Sequence, residues 1–372
     1  MGFWGEKSEF GLINMPDPLS TKNVGDHPGS LEIQSRVYGK VQDLRYGTNP
    51  TQTAALYNAN SFLGSLRELR TGKQGPSQTN FEDIFYAALT VGYFDALTVI
   101  IMKHENPSGF ATQYLPEALL QTYKKARDGD FRAAFGGTVF LNRAVDMDTA
   151  ESMRELFTEV VVAPDYESGV VERLGRGSVR IFVYDQKQYE AIPRYAGDAS
   201  EPELKRLSDG SIIRADPLLT PIRTVDDLRQ YVASKRQPDT RELLDLLTGY
   251  RIRLRSNSIR MVKNGYTTAL GTGQQDRVMC IDVAAYKARK LDELAVKDGY
   301  ERIADYSIPG SVLVSDGFFP FTDSIDLAHD LGITAVLAPH GGQRFNEVLE
   351  KATELGIAFV DLPGELRFFD HH

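Results

Sequence analysis

Seven short apolar runs, spaced along the 372-residue sequence with amphipathic stretches between them, constrain the fold more than any other feature. They are Ala96–Met102, Val139–Leu141, Val160–Ala163, Val179–Tyr184, Val312–Val314, Ile333–Ala338 and Ile357–Val360. A strand with one wet face alternates polar and apolar residues, so near-continuous runs predict strands covered on both sides, as in an α/β sheet. Helical patterns fill the intervals at Pro116–Lys125, Thr240–Leu247, Ile281–Leu294 and Phe345–Leu355. Thr79 is predicted to cap another helix, with Glu82 closing a capping box and Phe81, Ile84, Phe85, Ala88 and Leu89 on its inner face. Pro116 suits a first helical position, where its missing N–H would have had no partner.

Punctuation divides the chain. Residues 1–40 are rich in Gly, Pro, Asp and Asn without a clear period and read as an irregular arm. Residues 186–221 are polar and carry Pro193, Pro202, Pro217 and Pro221, the composition of a seam between two α/β units. The expected organisation is an arm over 1–40, a first unit over 41–200 and a second over 201–372. Lys263-Asn264-Gly265 between two β-prone runs is a hairpin signal, because Asn-Gly accepts the positive φ angles of a tight turn. No repeat is visible at the residue level.

Several function classes are excluded early. The formal net charge is −9, against the broad basic surface that nucleic-acid binding needs. No apolar run approaches the ~20 residues that cross a bilayer, and the first residues lack the regions of a signal peptide. The expectation is a cytoplasmic protein with neither membrane nor nucleic-acid partners. A single cysteine, Cys280, excludes an intramolecular disulfide and a thiolate-rich zinc site. Arg251, Arg253, Arg255 and Arg260 form a local basic run with two readings, a solvated face or one wall of an anion pocket.

Ligands of α/β sheets sit beyond strand ends, so the polar segments that follow the runs are the places to look. Lys103-His104 follows the first run and is the best catalytic candidate by residue type. An imidazole moves protons near neutral pH, and an ammonium stabilises a developing oxyanion. Pro107 and Gly109 imply a sharp turn that brings the pair to one cleft, although adjacent strand residues otherwise face opposite ways. His27 lies in the arm, His329 on a helix surface, and His371-His372 reads as a tag remnant or solvated tail. His340, beside Gly341-Gly342 at a strand end, has a ligand-facing reading. No H-x-E, C-x-x-C or HExxH motif occurs, which argues against a zinc hydrolase or deaminase.

Six segments together resemble one family. They are Leu44-Arg45-Tyr46-Gly47-Thr48-Asn49-Pro50, Lys103-His104-Glu105-Asn106-Pro107-Ser108-Gly109, Ala134-Phe135-Gly136-Gly137, Ser256-Asn257-Ser258-Ile259 with Gly271, Gly273, Gln274 and Arg277, Ser315-Asp316 through Phe318-Phe319-Pro320-Phe321 to Asp323, and Leu366-Arg367 with Phe369. In that order they resemble the motifs of the AICAR transformylase domain, the C-terminal part of a bifunctional transformylase and IMP cyclohydrolase. The resemblance covers roughly residues 40–372.

That resemblance implies a fold of two cytidine-deaminase-like α/β units without zinc. It implies transfer of the formyl group of 10-formyltetrahydrofolate, a co-substrate, to the 5-amine of AICAR ribotide, giving FAICAR. It also implies a homodimer with sites at the interface. Lys103 and His104 would be catalytic, with His104 as general base and Lys103 on the oxyanion. Arg45, Tyr46, Arg367 and Phe369 would hold the nucleotide toward its phosphate. Gly136 would let the backbone close to it, and Glu159 would meet the ribose. Asn257 and Phe318 would contact the aminoimidazole carboxamide, and Gln274 and Asp323 would face the folate. Asp316 would orient loops or ligate a structural monovalent cation such as K+. Two departures stand beside the resemblance. The cyclohydrolase region is not found before Leu44, so a stand-alone transformylase with a separate IMP cyclohydrolase is expected. The family's PGGS or PSGS turn reads Pro339-His340-Gly341-Gly342. The alternatives are formyl transfer to a related amino-imidazole nucleotide and a nucleotide-binding homologue without activity.

Overall fold

The computed structural model describes residues 26–72, 74–175, 177–366 and 370–371. In chain order the strands are β1 (Ser30–Ile33), β2 (Arg36–Leu44), β3 (Ala54–Tyr57), β4 (Arg67–Arg70), β5 (Thr98–Lys103), β6 (Asn106–Thr112), β7 (Thr138–Leu141), β8 (Val160–Ala163), β9 (Arg180–Val183), β10 (Glu203–Arg206), β11 (Ile212–Ala215), β12 (Ile259–Lys263), β13 (Tyr266–Gly271), β14 (Val312–Ser315), β15 (Ala335–Pro339) and β16 (Ala358–Leu362). The helices are α1 (Gln78–Val91), α2 (Leu119–Gly129), α3 (Met147–Met153), α4 (Val170–Leu174), α5 (Gln186–Glu190), α6 (Val225–Arg229), α7 (Thr240–Arg251), α8 (Arg277–Asp298), α9 (Asp323–Asp330) and α10 (Phe345–Glu354).

All seven apolar runs became strands of one 11-stranded sheet, ordered β16-β15-β14-β12-β13-β6-β5-β7-β8-β9-β4. Alternate residues of each strand enter different cores, as the two-residue period of a strand requires. Ile100 and Met102 of β5 pack with Ile84 and Ala88 of α1 and join Leu243 and Leu246 of α7 in one cluster. Val99 and Ile101 face the other way, with Tyr123 and Ala126 of α2. In the second half Ile259 and Met261 meet Ile281 and Ala284 of α8. Each aliphatic side chain buried in this way contributes roughly 1.5–3 kcal/mol, which is why both faces of the sheet had to be apolar.

The strand order repeats. Outward from the middle, each half has an antiparallel hairpin and then three parallel strands: β6-β5-β7-β8-β9 on one side and β13-β12-β14-β15-β16 on the other. The halves meet where β6 and β13 pair antiparallel at Ala111 and Tyr266. The Phe110 N–H donates to Thr267 Oγ1 at 3.1 Å, and the Thr112 N–H to the Gly265 carbonyl at 2.8 Å. Asp128 of α2 fastens the same joint from one face, accepting from Tyr300 Oη at 2.7 Å and the Ile303 N–H at 3.0 Å. Because the joint is antiparallel, one rim of the sheet collects the amino ends of β7–β9 and the carboxyl ends of β13–β16.

Three local expectations need correction. Helix α1 starts one turn-step earlier than Thr79: Ser77 is its N-cap, and the reciprocal partner is Asn80, whose short amide reaches back to the Ser77 N–H at 3.0 Å. Helix α2 begins at Leu119, not Pro116. The Glu117 carbonyl takes a bond from Gln113 and its carboxylate one from Thr122, which fixes an extended lead-in. Residues 30–40 are not irregular, since β1 and β2 form a three-stranded sheet with β3. Their side chains are mostly exposed, so they left no apolar period to read. Residues 1–25 of the arm lie outside the described residues. The 186–221 segment contains α5 and the exposed ribbon β10–β11. No helix among the described residues is long and apolar enough to cross a membrane.

Candidate active site

The rim shared by the two halves gathers most of the residues singled out from the sequence. At its centre, β5 and β6 are joined by only His104 and Glu105, with φ of 56° and 62°. Both residues are left-handed, which costs a non-glycine residue about 1–2 kcal/mol. Neighbours hold the turn in place. Asp83 of α1 accepts from the Glu105 N–H at 2.7 Å, Asn106 Nδ2 donates to the His104 carbonyl at 3.1 Å, and Glu105 pairs with Arg255 at 2.8 Å. His104 is exposed at the tip. Lys103, last in β5, turns toward the next loop and donates from Nζ to the Phe135 carbonyl at 2.7 Å.

Phe135 leads into Gly136, which has a φ of 72° and whose N–H donates to the Phe157 carbonyl at 2.7 Å. Glycine takes this conformation without the steric penalty of a side chain. Glu159 follows at the start of β8 and pairs with the buried Arg180 at 3.0 Å, while Asn80 Nδ2 lies 3.4 Å from the same carboxylate oxygen. Arg180 also donates from Nε to the Gly75 carbonyl at 2.6 Å. Arg45 and Tyr46 leave β2 beside the start of α1: the Arg45 N–H donates to Pro76 and the Gln78 N–H to the Tyr46 carbonyl. The Arg45 guanidinium lies 5.2 Å from the Tyr46 ring centroid, and its buried Nε has no hydrogen-bond partner among the described residues. Burial, with Arg45 as a nearby like charge, lowers the pKa of Arg180. Two guanidiniums and a helix N-terminus on one side make a setting for an anion.

The second half closes the rim. The Asn257 N–H donates to the Gln274 carbonyl at 3.3 Å and the Gly273 N–H to the Arg255 carbonyl at 3.0 Å, so these two loops travel together. The Arg255 N–H bonds Asn106 Oδ1 at 2.9 Å, tying both loops to the His104 hairpin. Asp316 is fully buried and accepts from Ser256 Oγ and from the Ser258 N–H at 3.1 Å, with Arg277 at 3.8 Å. Orienting the Ser256–Ser258 loop is the role the contacts describe. Among the described residues no group of three or more His, Cys, Asp or Glu could hold a metal.

Phe318 lies with its ring centroid 6.0 Å from the Arg277 guanidinium. A Cβ on Gly342 would come within 3.2 Å of that ring, so the absence of a side chain there sets the approach of the two loops. His340, half exposed, keeps Nδ1 on Asp361 at 2.8 Å. Asp323 stands apart: it is exposed in the first turn of α9 with its carboxylate on the Ser324 N–H. Among the described residues it makes no hydrogen bond to the Gln274 loop. Arg367 and Phe369 lie outside the described residues.

A sequence profile of the family described as AICARFT/IMPCHase bienzyme matches residues 19–287. The chain belongs to this family. The bifunctional purine biosynthesis protein PurH of Persephonella marina is 34% identical over 331 residues, covering 87% of this chain and 58% of that protein. The PurH of Bradyrhizobium diazoefficiens is 36% identical over 347 residues, covering 89% and 61%. That of Pelodictyon phaeoclathratiforme is 34% identical over 346 residues, covering 91% and 60%. The chain therefore spans about three-fifths of the length of these relatives.

Against that family background, two sequence readings change. The four arginines of the run take separate partners, and Arg253 also lines the cavity beside Tyr86 and His371. Arg260 pairs with Asp370 in full burial, Arg253 donates to Tyr93 Oη at 2.8 Å, Arg255 holds Glu105, and Arg251 donates to the Arg223 carbonyl at 2.6 Å. His371 is not a solvated tail: its ring stacks on Tyr86 at 4.0 Å and its carbonyl accepts from the Ser256 N–H at 3.2 Å. Burial pushes its pKa down to about 4. Asp83 and Arg180 were missed, and the contact of Arg255 with Glu105 was not foreseen. Arg180 had left a signal, as the one charge inside the apolar run Val179–Tyr184. Asp83 had left none, because a buried carboxylate on a helix is invisible without its partners.

Cys280 adjoins this rim, with Sγ 3.3 Å from the Asn257 carbonyl, but it is built as packing. Its side chain is fully buried, and burial pushes the thiol up to about 12. At pH 8 the thiolate fraction is then on the order of 10⁻⁴. An aromatic disulfide reagent is expected to leave the native protein unlabelled over an hour and to titrate one thiol after denaturation. Immediate labelling of the native chain would contradict this packing.

Proposed function

We propose that this rim transfers the formyl group of 10-formyltetrahydrofolate to the 5-amine of AICAR ribotide, giving FAICAR in purine biosynthesis. The observation that carries the reading is the His104–Glu105 turn. A histidine is held at a left-handed, exposed hairpin tip, with an anchored lysine behind it and the Asn257–Gln274 loops tied across from it. Backbone strain of this kind persists where its surroundings over-determine it, and it clusters at active sites.

The amine of AICAR is a weak nucleophile, because its lone pair is drawn into the ring and carboxamide. It loses a proton as it attacks the formyl carbon, and His104 receives that proton directly or through the carboxamide. Lys103 stabilises the tetrahedral oxyanion, and as the C–N10 bond breaks the proton held by His104 passes to the folate nitrogen, which leaves as the N–H of tetrahydrofolate. Arg45 and Tyr46 hold the phosphate end of the nucleotide, joined by Arg367 and Phe369, with Arg180 beside Arg45. The unpartnered Nε of Arg45 supports this, since a guanidinium binds phosphate through paired N–H donors. Gly136 gives close backbone approach, Glu159 meets the ribose, and Asn257 and Phe318 the base. Gln274 and Asp323 face the folate.

The same reading treats residues 41–200 and 201–372 as two cytidine-deaminase-like units without zinc, which the repeated strand order supports. It places the protein in the cytoplasm as a homodimer with shared sites. Release of tetrahydrofolate from 10-formyltetrahydrofolate, followed with and without AICAR ribotide, tests the reaction. Turnover that requires the ribotide is the expected result. Folate turnover indifferent to AICAR, or none while AICAR still binds, would replace this reading with another formyl acceptor or a silent binder.

A further inference from the structure

The two central hairpins share one supporting device, and only one of them stands on the candidate site. Helices α1 and α7 open the two repeated halves, with N-caps Ser77 and Asp239. Six residues beyond each cap lies a buried aspartate, Asp83 or Asp245, at 5% and 2% exposure. Asp245 accepts from the Asn264 N–H at 3.0 Å and the Gly265 N–H at 2.8 Å, the two residues of the β12–β13 turn. Asp83 accepts from the Glu105 N–H at 2.7 Å, within the two-residue β5–β6 turn.

The turns differ in what they need. Asn264 and Gly265, with φ of 57° and 80°, adopt left-handed conformations readily. Asp245 is accordingly shared, accepting also from Tyr114 Oη at 2.8 Å and pairing with Arg241 at 3.7 Å. His104 and Glu105 adopt the left-handed conformation less readily than the Asn-Gly pair, Glu105 least of all. Among the described residues, the hydrogen bond of the Asp83 carboxyl goes to this turn alone.

We propose that Asp83 is a positioning residue for the His104 hairpin, accepting the Glu105 N–H of its turn and so fixing the direction in which the imidazole leaves the sheet. The proposal rests on the formyl-transfer reading for what that direction serves. Asp83 reaches the reaction only through the turn. Burial, with the Glu105 and Glu159 carboxylates adding to it, raises its pKa to about 7. The carboxyl accepts from the turn in either protonation state, because each retains an oxygen lone pair facing the amide.

The test compares D83A, D245A, E105G and D83A/E105G in the full chain. D83A is expected to lower kcat by roughly 30- to 100-fold with the KM for AICAR ribotide within about threefold, as misplacement of a reacting group does. D245A should lower the unfolding midpoint at least as much while keeping kcat within about threefold. Glycine at 105 supplies a left-handed residue unaided, so removing Asp83 from E105G should cost kcat less than about fivefold. That cycle also decides the matter if D83A alone does not fold. Long-range ¹⁵N NMR of the His104 ring is read in the same proteins, with displaced signals expected in D83A and not in D245A. Turnover by D83A within threefold of the wild type, an equal loss in D245A, or an undiminished loss in the E105G background overturns the proposal. A wild-type chain inactive on this substrate pair would remove the formyl-transfer reading alone. The His104 ring signals then decide, and unmoved signals in D83A overturn the positioning role.

Discussion

Replacing His104 by alanine is expected to lower AICAR-dependent release of tetrahydrofolate by about 10²-fold or more, with nucleotide binding retained. Removing the imidazole takes away the proton acceptor and little else. It is exposed at the turn, while the contacts that hold the turn are made by the His104 backbone, Glu105 and Asn106. Replacing Lys103 by alanine should cause a loss of similar size, about 10²-fold, because one preorganised donor to an oxyanion is commonly worth that much. The lysine also meets the Phe135 carbonyl, so its loss should loosen the Gly136 loop and weaken nucleotide binding somewhat. The two variants are therefore distinguishable by titration with AICAR ribotide. Near-normal turnover in either would remove that residue from the chemistry.

The second large effect concerns stability. Asp370 and Arg260 form an ion pair in which both side chains are fully buried, and Ser258 Oγ donates to the same carboxylate at 2.5 Å. Arg260 also donates to the Ile252 carbonyl at 2.7 Å. Truncating Asp370 to alanine leaves a guanidinium without its counter-charge in a dry interior, and the expected destabilisation is about 3–5 kcal/mol. Loss of the carboxylate also removes one partner of Ser258, the neighbour of Asn257, so turnover should fall further than the folded fraction does. Replacing Arg260 and Asp370 together by apolar residues of similar volume should recover much of the stability, since no buried charge is then left alone. Denaturant titration of the two variants measures both effects. A D370A midpoint equal to that of the wild type would mean that the pair is not buried as described.

Much of the architecture was legible because it depends on the apolar pattern. Runs such as Val160–Ala163 could satisfy their side chains only between two layers, and that run became β8 over the same four residues. The Asn264-Gly265 turn was legible for a different reason, since its residue types meet the φ requirement locally. The His104-Glu105 turn was not, because neither residue advertises a left-handed backbone. Lys103 and His104 were singled out by residue type, but the contacts around them were hidden. Asp83, Arg255 and the Asn257–Gln274 link depend on contacts between segments far apart in sequence. The rule that ligands lie at carboxyl strand ends led to Lys103-His104 after β5 and to the segments after β13, β14 and β15, but not to every candidate. In the first half Gly136 and Glu159 sit at amino ends, because the antiparallel joint inverts one half relative to the other.

The paired hairpins also bear on how such a chain responds to optimisation. A design procedure that scored stability alone would write Asn-Gly at both turns, since that pair meets the backbone geometry at the least conformational cost. At Asn264-Gly265 it would change nothing. At His104-Glu105 it would return a sturdier protein that, on the formyl-transfer reading, has an inert rim, and the sheet, the cores and the joint would give no sign of the change. The mismatch between residue type and backbone at one of two otherwise equivalent turns thus serves as a tracer, marking which copy of a repeated scaffold was released from the demands of folding to serve another purpose.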